Sequence, residues 1–410
     1  GEDGEPILDA DGTVLFEVGS GALCRECHMP GRYYMGNDYR PDHSFRVPDP
    51  ALSAAIGSPD PCLRCHVDED SGWSQEKVTE WYGPGRTPHY GEIIERGRRA
   101  EPGAGDALRA LAADDLYPLL VRATALSLLT AYPGRATEQA LENALLADEA
   151  ILRRTAVSNL QYAEPGRLAA ALAPMLDDPV RTVRIEAAAR LAGDLTRYLT
   201  AAQLKQFEPA LEEYRAAMNY SADFAFARYN LGNLHSNLGE IDQAIESFET
   251  AIRIDDQFYP AKANLALLYN RRGENDEAER LLREVVEAQP ELYDMAYSLA
   301  LLLVEMQKYP EAATYLERAA DGLPDRARIQ YNLGLLYQQL QETGRAEARL
   351  RQALELEPEN LDFQYALADH YLKRGLFDAA LPVVEQMIAT HPENPIGQQM
   401  RQFIREATGR

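Results

Sequence analysis

Nowhere in the chain do apolar residues run for the roughly 20 positions that a helix needs to cross a bilayer. Nor is there a Gly-rich phosphate loop, a G-x-S-x-G elbow or an H-E-x-x-H zinc pair. Nothing in the sequence therefore reads as a membrane span, a nucleotide site or a hydrolase centre. Positive charge is short as well: 41 Lys and Arg stand against 65 Asp and Glu, a formal net charge of -24. Such a surface repels phosphate, which argues against nucleic acid and anionic membrane faces as partners. Cysteine is scarcer still. All 4 lie in two stretches, Cys24-Arg25-Glu26-Cys27-His28 and Cys62-Leu63-Arg64-Cys65-His66.

Those two stretches carry the chemistry. In C-x-x-C-H, two thiols on one turn can add to the two vinyl groups of a haem while the adjacent imidazole binds its iron. Two copies predict two c-type haems, held by thioethers at Cys24, Cys27, Cys62 and Cys65, with His28 and His66 as proximal iron ligands. A four-cysteine zinc site competes, but it gives no reason for a histidine directly after each pair. Haem of this type is attached outside the energy-transducing membrane, so the reading includes export, to the periplasm or the cell exterior, with a signal peptide removed ahead of Gly1.

The second axial ligand decides between electron transfer and an open iron. Of the remaining histidines, His235 occupies a helical-repeat position and reads as packing, while His370 and His391 read as solvated or turn residues. His43 and His89 lie in the haem region and are the candidate distal ligands, giving bis-histidine low-spin iron, in cis or from a neighbouring subunit. Their bland alternative is a hydrogen bond to a propionate or a backbone carbonyl. Met29 follows His28 too closely to reach around the same iron, and Met35 reads as packing.

Residues 1–21 form an N-terminal arm with a hairpin signal at Asp11-Gly12. Residues 22–105 read as a small irregular dihaem domain and its linker, where Tyr33, Tyr34, Phe45, Trp73, Trp81 and Tyr82 can pack on porphyrin. Helical repeats occupy 106–199: Val121-Arg122, Leu152-Arg153 and Val183-Arg184 open similar segments 31 residues apart. A half-repeat junction spans 200–224. Over 225–394 the period becomes 34, with Leu231, Leu265, Leu299, Leu333 and Leu367, then Ala244, Ala278, Ala312, Ala346 and Ala380, then Pro290, Pro324, Pro358 and Pro392. Residues 395–410 cap the array. The expected fold class is mainly α, an irregular dihaem cytochrome c domain followed by an α-solenoid.

The 31-residue segments resemble HEAT repeats, and the 34-residue ones resemble tetratricopeptide repeats. Together with Cys27-His28-Met29-Pro30, Asp42-His43-Ser44-Phe45-Arg46-Val47-Pro48 and Trp81-Tyr82-Gly83, they resemble the final haem-binding region of exported multihaem c-type cytochromes that carry such repeats. The resemblance implies haem binding and electron transfer. Those relatives usually carry further C-x-x-C-H motifs, absent here, so no catalytic activity is carried over. The expected function is a dihaem electron carrier serving redox partner proteins, its solenoid a docking or assembly scaffold, with self-association into an extracellular haem wire as the sharper form. The alternative is an adaptor gripping an extended peptide on Tyr229, Tyr297, Tyr331 and Tyr365 with Leu267, Leu301 and Leu335, haem being structural or sensory.

Overall fold

The computed structural model describes residues 7–8, 12, 14–16, 24–43, 45–84 and 88–409. The chain is mainly helical and divides into two compact units, Gly1–Tyr214 and Arg215–Arg410. No helix among the described residues is long and apolar enough to cross a membrane.

The first unit opens with strands β1 (Ile7–Leu8) and β2 (Val14–Phe16), an antiparallel pair with a register shift. Helix α1 (Cys24–His28) is followed by a second ribbon, β3 (Gly31–Tyr34) and β4 (Asp38–Pro41). Then come α2 (Pro50–Ile56), a 3-10 turn at Cys62–Arg64, α3 (Ser71–Tyr82) and α4 (Tyr90–Arg98). This stretch is more helical than its composition suggested. Its helices are started by caps rather than by an apolar stripe: Asp49 accepts from the Leu52 N–H (3.1 Å) and Asp70 from the Trp73 N–H (2.9 Å). The segment after α4, expected as a linker, is packed. It is a turn with Gly103 left-handed (φ 80°), Tyr132 donating its hydroxyl to the Glu101 carbonyl (3.0 Å) and Ala104 fully buried.

Helices α5 (Ala104–Ala113), α6 (Leu119–Leu128), α7 (Arg135–Ala144), α8 (Ala150–Asn159), α9 (Pro165–Leu172) and α10 (Arg181–Leu191) then stack, ahead of α11 (Ala201–Tyr220). The arginines of the 31-residue period fasten this stack. Arg122 donates to the Ala112 carbonyl (3.1 Å), and Arg153 to the Ala147 and Asp148 carbonyls (2.8 Å each). Arg153 also makes a two-pronged pair with Asp178 (2.6 and 3.0 Å), and Arg184 one with Glu213 (2.9 and 2.7 Å). The side chains of Arg153 and Asp178 are largely buried, which makes their geometry matter more than a surface pair's would.

The second unit is built of helix pairs: α12 (Ala225–Asn237) with α13 (Ile241–Ile254), α14 (Tyr259–Arg271) with α15 (Asn275–Ala288), and α16 (Tyr293–Glu305) with α17 (Tyr309–Gly322). The series continues with α18 (Ala327–Gln339) and α19 (Thr343–Leu356), α20 (Leu361–Lys373) and α21 (Phe377–Thr390), and a last helix α22 (Pro395–Thr408). The periodic leucines are buried and the periodic alanines fully so. Small residues stand where two helices touch: a Cβ on Gly232 would lie 2.6 Å from the Phe248 ring. The periodic prolines fall in the turns between pairs, where no helical N–H is required.

Candidate functional site

Helix α1 places Cys24 and Cys27 three residues apart, on one face of the helix, and both thiols are exposed. His28 donates its Nδ1–H to the Arg46 carbonyl (2.8 Å) and stacks on Phe45 with centroids 5.0 Å apart. A carbonyl can only accept, so Nδ1 carries a proton, and in the neutral ring Nε2 is then the nitrogen with the lone pair an iron ligand needs.

The second motif is anchored by Asp60, which sequence reasoning missed. Its carboxylate accepts the Cys62 N–H (2.9 Å) and the hydroxyl of the fully buried Ser74 (2.6 Å), tying the motif to α3. An Asp two residues ahead of a motif, before a proline, is an Asx-turn signal that could have found it. Burial first, and then the Asp60 carboxylate, push the Cys62 thiol up to about 11. Cys27 adds to the same shift more weakly. Arg64 of the second motif donates to the Tyr39 hydroxyl (3.3 Å) on β4, and His66 packs against Trp73 (centroids 4.6 Å).

The two candidate distal histidines differ. His43 is exposed and has no hydrogen-bond partner among the described residues. His89 is the N-cap of α4: its Nδ1 accepts the Gly91 N–H (3.0 Å), so in the neutral ring the proton sits on Nε2. Iron ligation through Nε2 would require His89 to give up this cap. Among the described residues no three His, Cys, Asp or Glu side chains converge as a metal site, so the thiols do not form a four-cysteine cluster here.

The residues expected to pack on porphyrin are mostly uncovered. Tyr33, Phe45, Trp81 and Tyr82 are 69, 57, 63 and 77% exposed, and Met35, expected as packing, is 86% exposed. Between Cys27 and Ile94 no large apolar side chain among the described residues is buried. Ordered elements without an apolar core of their own suit a site whose core is a flat apolar cofactor, and the residues present fit a haem at each thiol pair.

In the second unit the tyrosine row is less open than expected. Tyr229 packs on Phe248 and Phe258 and Tyr331 on Phe363, leaving Tyr365 exposed together with Leu267 and Leu301. Asparagines brace the row: Asn264 donates to Asn233 (2.8 Å) and Asn332 to the Tyr297 hydroxyl (2.7 Å). A depression of about 360 Å³ is lined by Tyr229, Tyr259, Asn264, Leu292, Tyr293 and Leu323.

Two histidine readings are corrected. His235 is half-buried and pairs with Glu240 (2.6 Å) instead of filling the core. Tyr269 and Tyr337, at its repeat position, reach Glu249 and Glu317 twenty residues back, whereas Arg215 stands there for His235. His370, read as solvated, is 4% exposed. It takes the place of the buried leucines Leu234, Leu268, Leu302 and Leu336, a signal the 34-residue step already held. His391 is a turn residue whose Nε2 bonds the Glu359 carbonyl (2.7 Å).

Models of the tetratricopeptide repeat match residues 225–258, 263–327, 297–339 and 331–395. Residues 225–395 form tetratricopeptide repeats. Among solved structures, the chain is similar to YrrB, described as a TPR protein with an unusual peptide-binding site, at 20% identity over 46% of this chain and 96% of that one (TM-score 0.42). It is similar to MamA of Desulfovibrio magneticus RS-1 at 18% identity, covering 40% of this chain and 92% of that one (TM-score 0.37). A tetratricopeptide repeat protein of Parabacteroides merdae is 21% identical over 45% of this chain and 73% of that one (TM-score 0.40). No curated protein matches the chain.

Proposed function

We propose that this protein is a docking scaffold that carries its cofactors with it: a tetratricopeptide array that binds protein partners, and an N-terminal region with two covalent haems. The scaffold reading rests on the repeat array, whose buried leucine and alanine ladders hold Leu267, Leu301 and Tyr365 at repeated, exposed positions. Its test is capture of partners by the intact exported protein and by a Leu267→Arg/Leu301→Arg variant of unchanged thermal stability. Loss of a stoichiometric partner supports the scaffold, and equal capture by both proteins rejects it.

A second reading, electron carriage by the two haems, is favoured by the His28 tautomer and by the uncovered aromatic side chains around both thiol pairs. Cys24, Cys27, Cys62 and Cys65 would hold the porphyrins, His28 and His66 would take the near side of each iron, and His43 and His89 are the histidines on hand for the far side. Bound haem would supply a one-electron iron couple. The chain's part is to fix the imidazoles and to exclude water with Tyr33, Phe45, Trp81 and Tyr82. Carriage rather than turnover is the assignment, in an exported protein of the periplasm or cell exterior, with redox proteins as partners and stacking of copies into a haem row as its furthest extension. Reduced-minus-oxidised spectra with haem quantification on native protein test it. Two low-spin haems per chain support it; colourless protein after full maturation rejects it and leaves the scaffold standing.

A further inference from the structure

The tetratricopeptide array breaks its own pattern in one place. At a step of 34 residues, Tyr229, Tyr297, Tyr331 and Tyr365 share a position, and the second repeat has Ala263 there. Four residues earlier the exchange runs the other way: Tyr259 and Tyr293 stand where other repeats have Ala225, Ala327 and Leu361. Gly322 seats the second of these rings, because a Cβ on it would collide with Tyr293. Helix α14 therefore carries a ring at its start and none at the position the tyrosine row uses.

The missing ring leaves a neighbour uncovered. Phe258 is half-buried under Tyr229, with centroids 5.4 Å apart. Leu292, at the repeat position of Phe258, has Ala263 where Phe258 has that ring, and is 43% exposed. The depression of about 360 Å³ opens here, lined by Ala263 and Leu292 together with Tyr229, Tyr259 and Tyr293. Asn264 supplies its polar point. The Asn264 amide donates to the Asn233 side-chain oxygen (2.8 Å) and to the Tyr229 hydroxyl (3.5 Å), while its own oxygen has no hydrogen-bond partner among the described residues. The charged side chains in the lining, Glu291 and Asp294, are both acidic. Arg326 pairs with Asp294, and Glu291 has no ion partner among the described residues.

We propose that this depression seats a tyrosine or tryptophan side chain from an extended segment of a protein partner, with a Lys or Arg beside it in that segment facing Glu291. The incoming ring takes the place that Ala263 leaves empty in the row, covers Leu292, and packs against three tyrosines. Its hydroxyl or indole N–H donates to the Asn264 oxygen, so burial strands neither group. Rings of this kind bring large contact area with few rotors to fix, which is why they anchor interfaces. The neighbouring cation answers an acidic rim on a chain of net charge -24, which favours a basic segment over an acidic one. This deepens the scaffold reading and rests on it: the array binds a partner, and this is where the partner's anchor enters.

Selection of short random peptides on the intact protein tests it. The selected peptides carry Tyr or Trp close to Lys or Arg, and on binding they slow hydrogen exchange of the amides of residues 291–295. They bind Ala263→Tyr, which completes the tyrosine row, at least about tenfold more weakly. On Glu291→Lys the aromatic preference stays and the basic one is lost. Peptides without an aromatic residue, protection only elsewhere in the array, or equal binding to Ala263→Tyr each overturns the proposal, as does failure to select any peptide. Capture of protein partners separates this outcome from the fate of the scaffold reading. A partner lost by Leu267→Arg/Leu301→Arg but kept by Ala263→Tyr sinks this seat and leaves the scaffold standing; a partner kept by both variants sinks both.

Discussion

The described residues of 24–98 and residues 225–408 hold their shape in opposite ways. The repeat array closes over its own apolar side chains: Leu299, Leu316, Leu333 and Val384 are fully buried, and each helix pair repeats the arrangement of the last. Among its described residues the earlier region turns nine large apolar side chains outward, Met35 at 86% and Tyr82 at 77% exposed among them. Its elements are positioned by caps, by the Asp60 carboxylate and by the Arg46 carbonyl. A region of the first kind is finished by its own sequence. A region of the second kind leaves its large apolar side chains without cover from its own described residues.

The largest expected effect breaks this contrast open. Replacing all four cysteines by alanine should leave residues 24–82 without slowed hydrogen exchange, while protection over 225–408 is unchanged. Retained protection in both would show that the first region needs no added core. Next in size, Leu316→Ala should destabilise the repeat unit by about 2–5 kcal/mol in chemical denaturation, whereas Tyr82→Ser in the cysteine-free chain should change stability by less than about 0.5 kcal/mol. Gly232→Ala should cost about 1–3 kcal/mol, since Phe248 must move for the new methyl. A variant as stable as the parent would show that the first helix pair is looser than its neighbours.

The smallest effect is one of pH. Burial, and then the Arg374 guanidinium, hold His370 below the usual histidine value, with Glu347 and Asp369 opposing more weakly. The unfolded chain then takes up the proton first, so stability present above about pH 6.5 declines as the pH is lowered through that value. Denaturation midpoints between about pH 7.5 and pH 5.5 should fall in the parent and fall less in His370→Leu.

What could be read ahead from the sequence follows the same contrast. The tetratricopeptide array was legible because close helix crossing admits only small residues at fixed intervals, so Gly232, Ala266 and Ala300 announce themselves by position alone. Helix α3, Ser-Gly-Trp-Ser-Gln-Glu-Lys-Val-Thr-Glu-Trp-Tyr, has no buried stripe to announce, and only Asp70 marks its start. The thiol pairs were legible as chemistry. The residues that position them, Asp60 and the Arg46 backbone, act through contacts between distant parts of the chain that spacing does not reveal. His370 reads as solvated by its own polarity, yet the place it shares with four buried leucines decides its burial.

The arginine pairs of the first unit also govern how that unit can change length. Arg153 takes its carboxylate, Asp178, from the following period, and Arg184 takes Glu213 from the helix after that. An insertion or loss of a few residues between donor and acceptor would part these pairs, and for the largely buried Arg153 and Asp178 it would strand both charges out of water. Excision of one 31-residue period would not hand either arginine an equivalent acid, because Asp178 follows Arg153 by 25 residues whereas Glu213 follows Arg184 by 29. The stack is thus held to its present length by ion pairs that do not share the period of the helices they join.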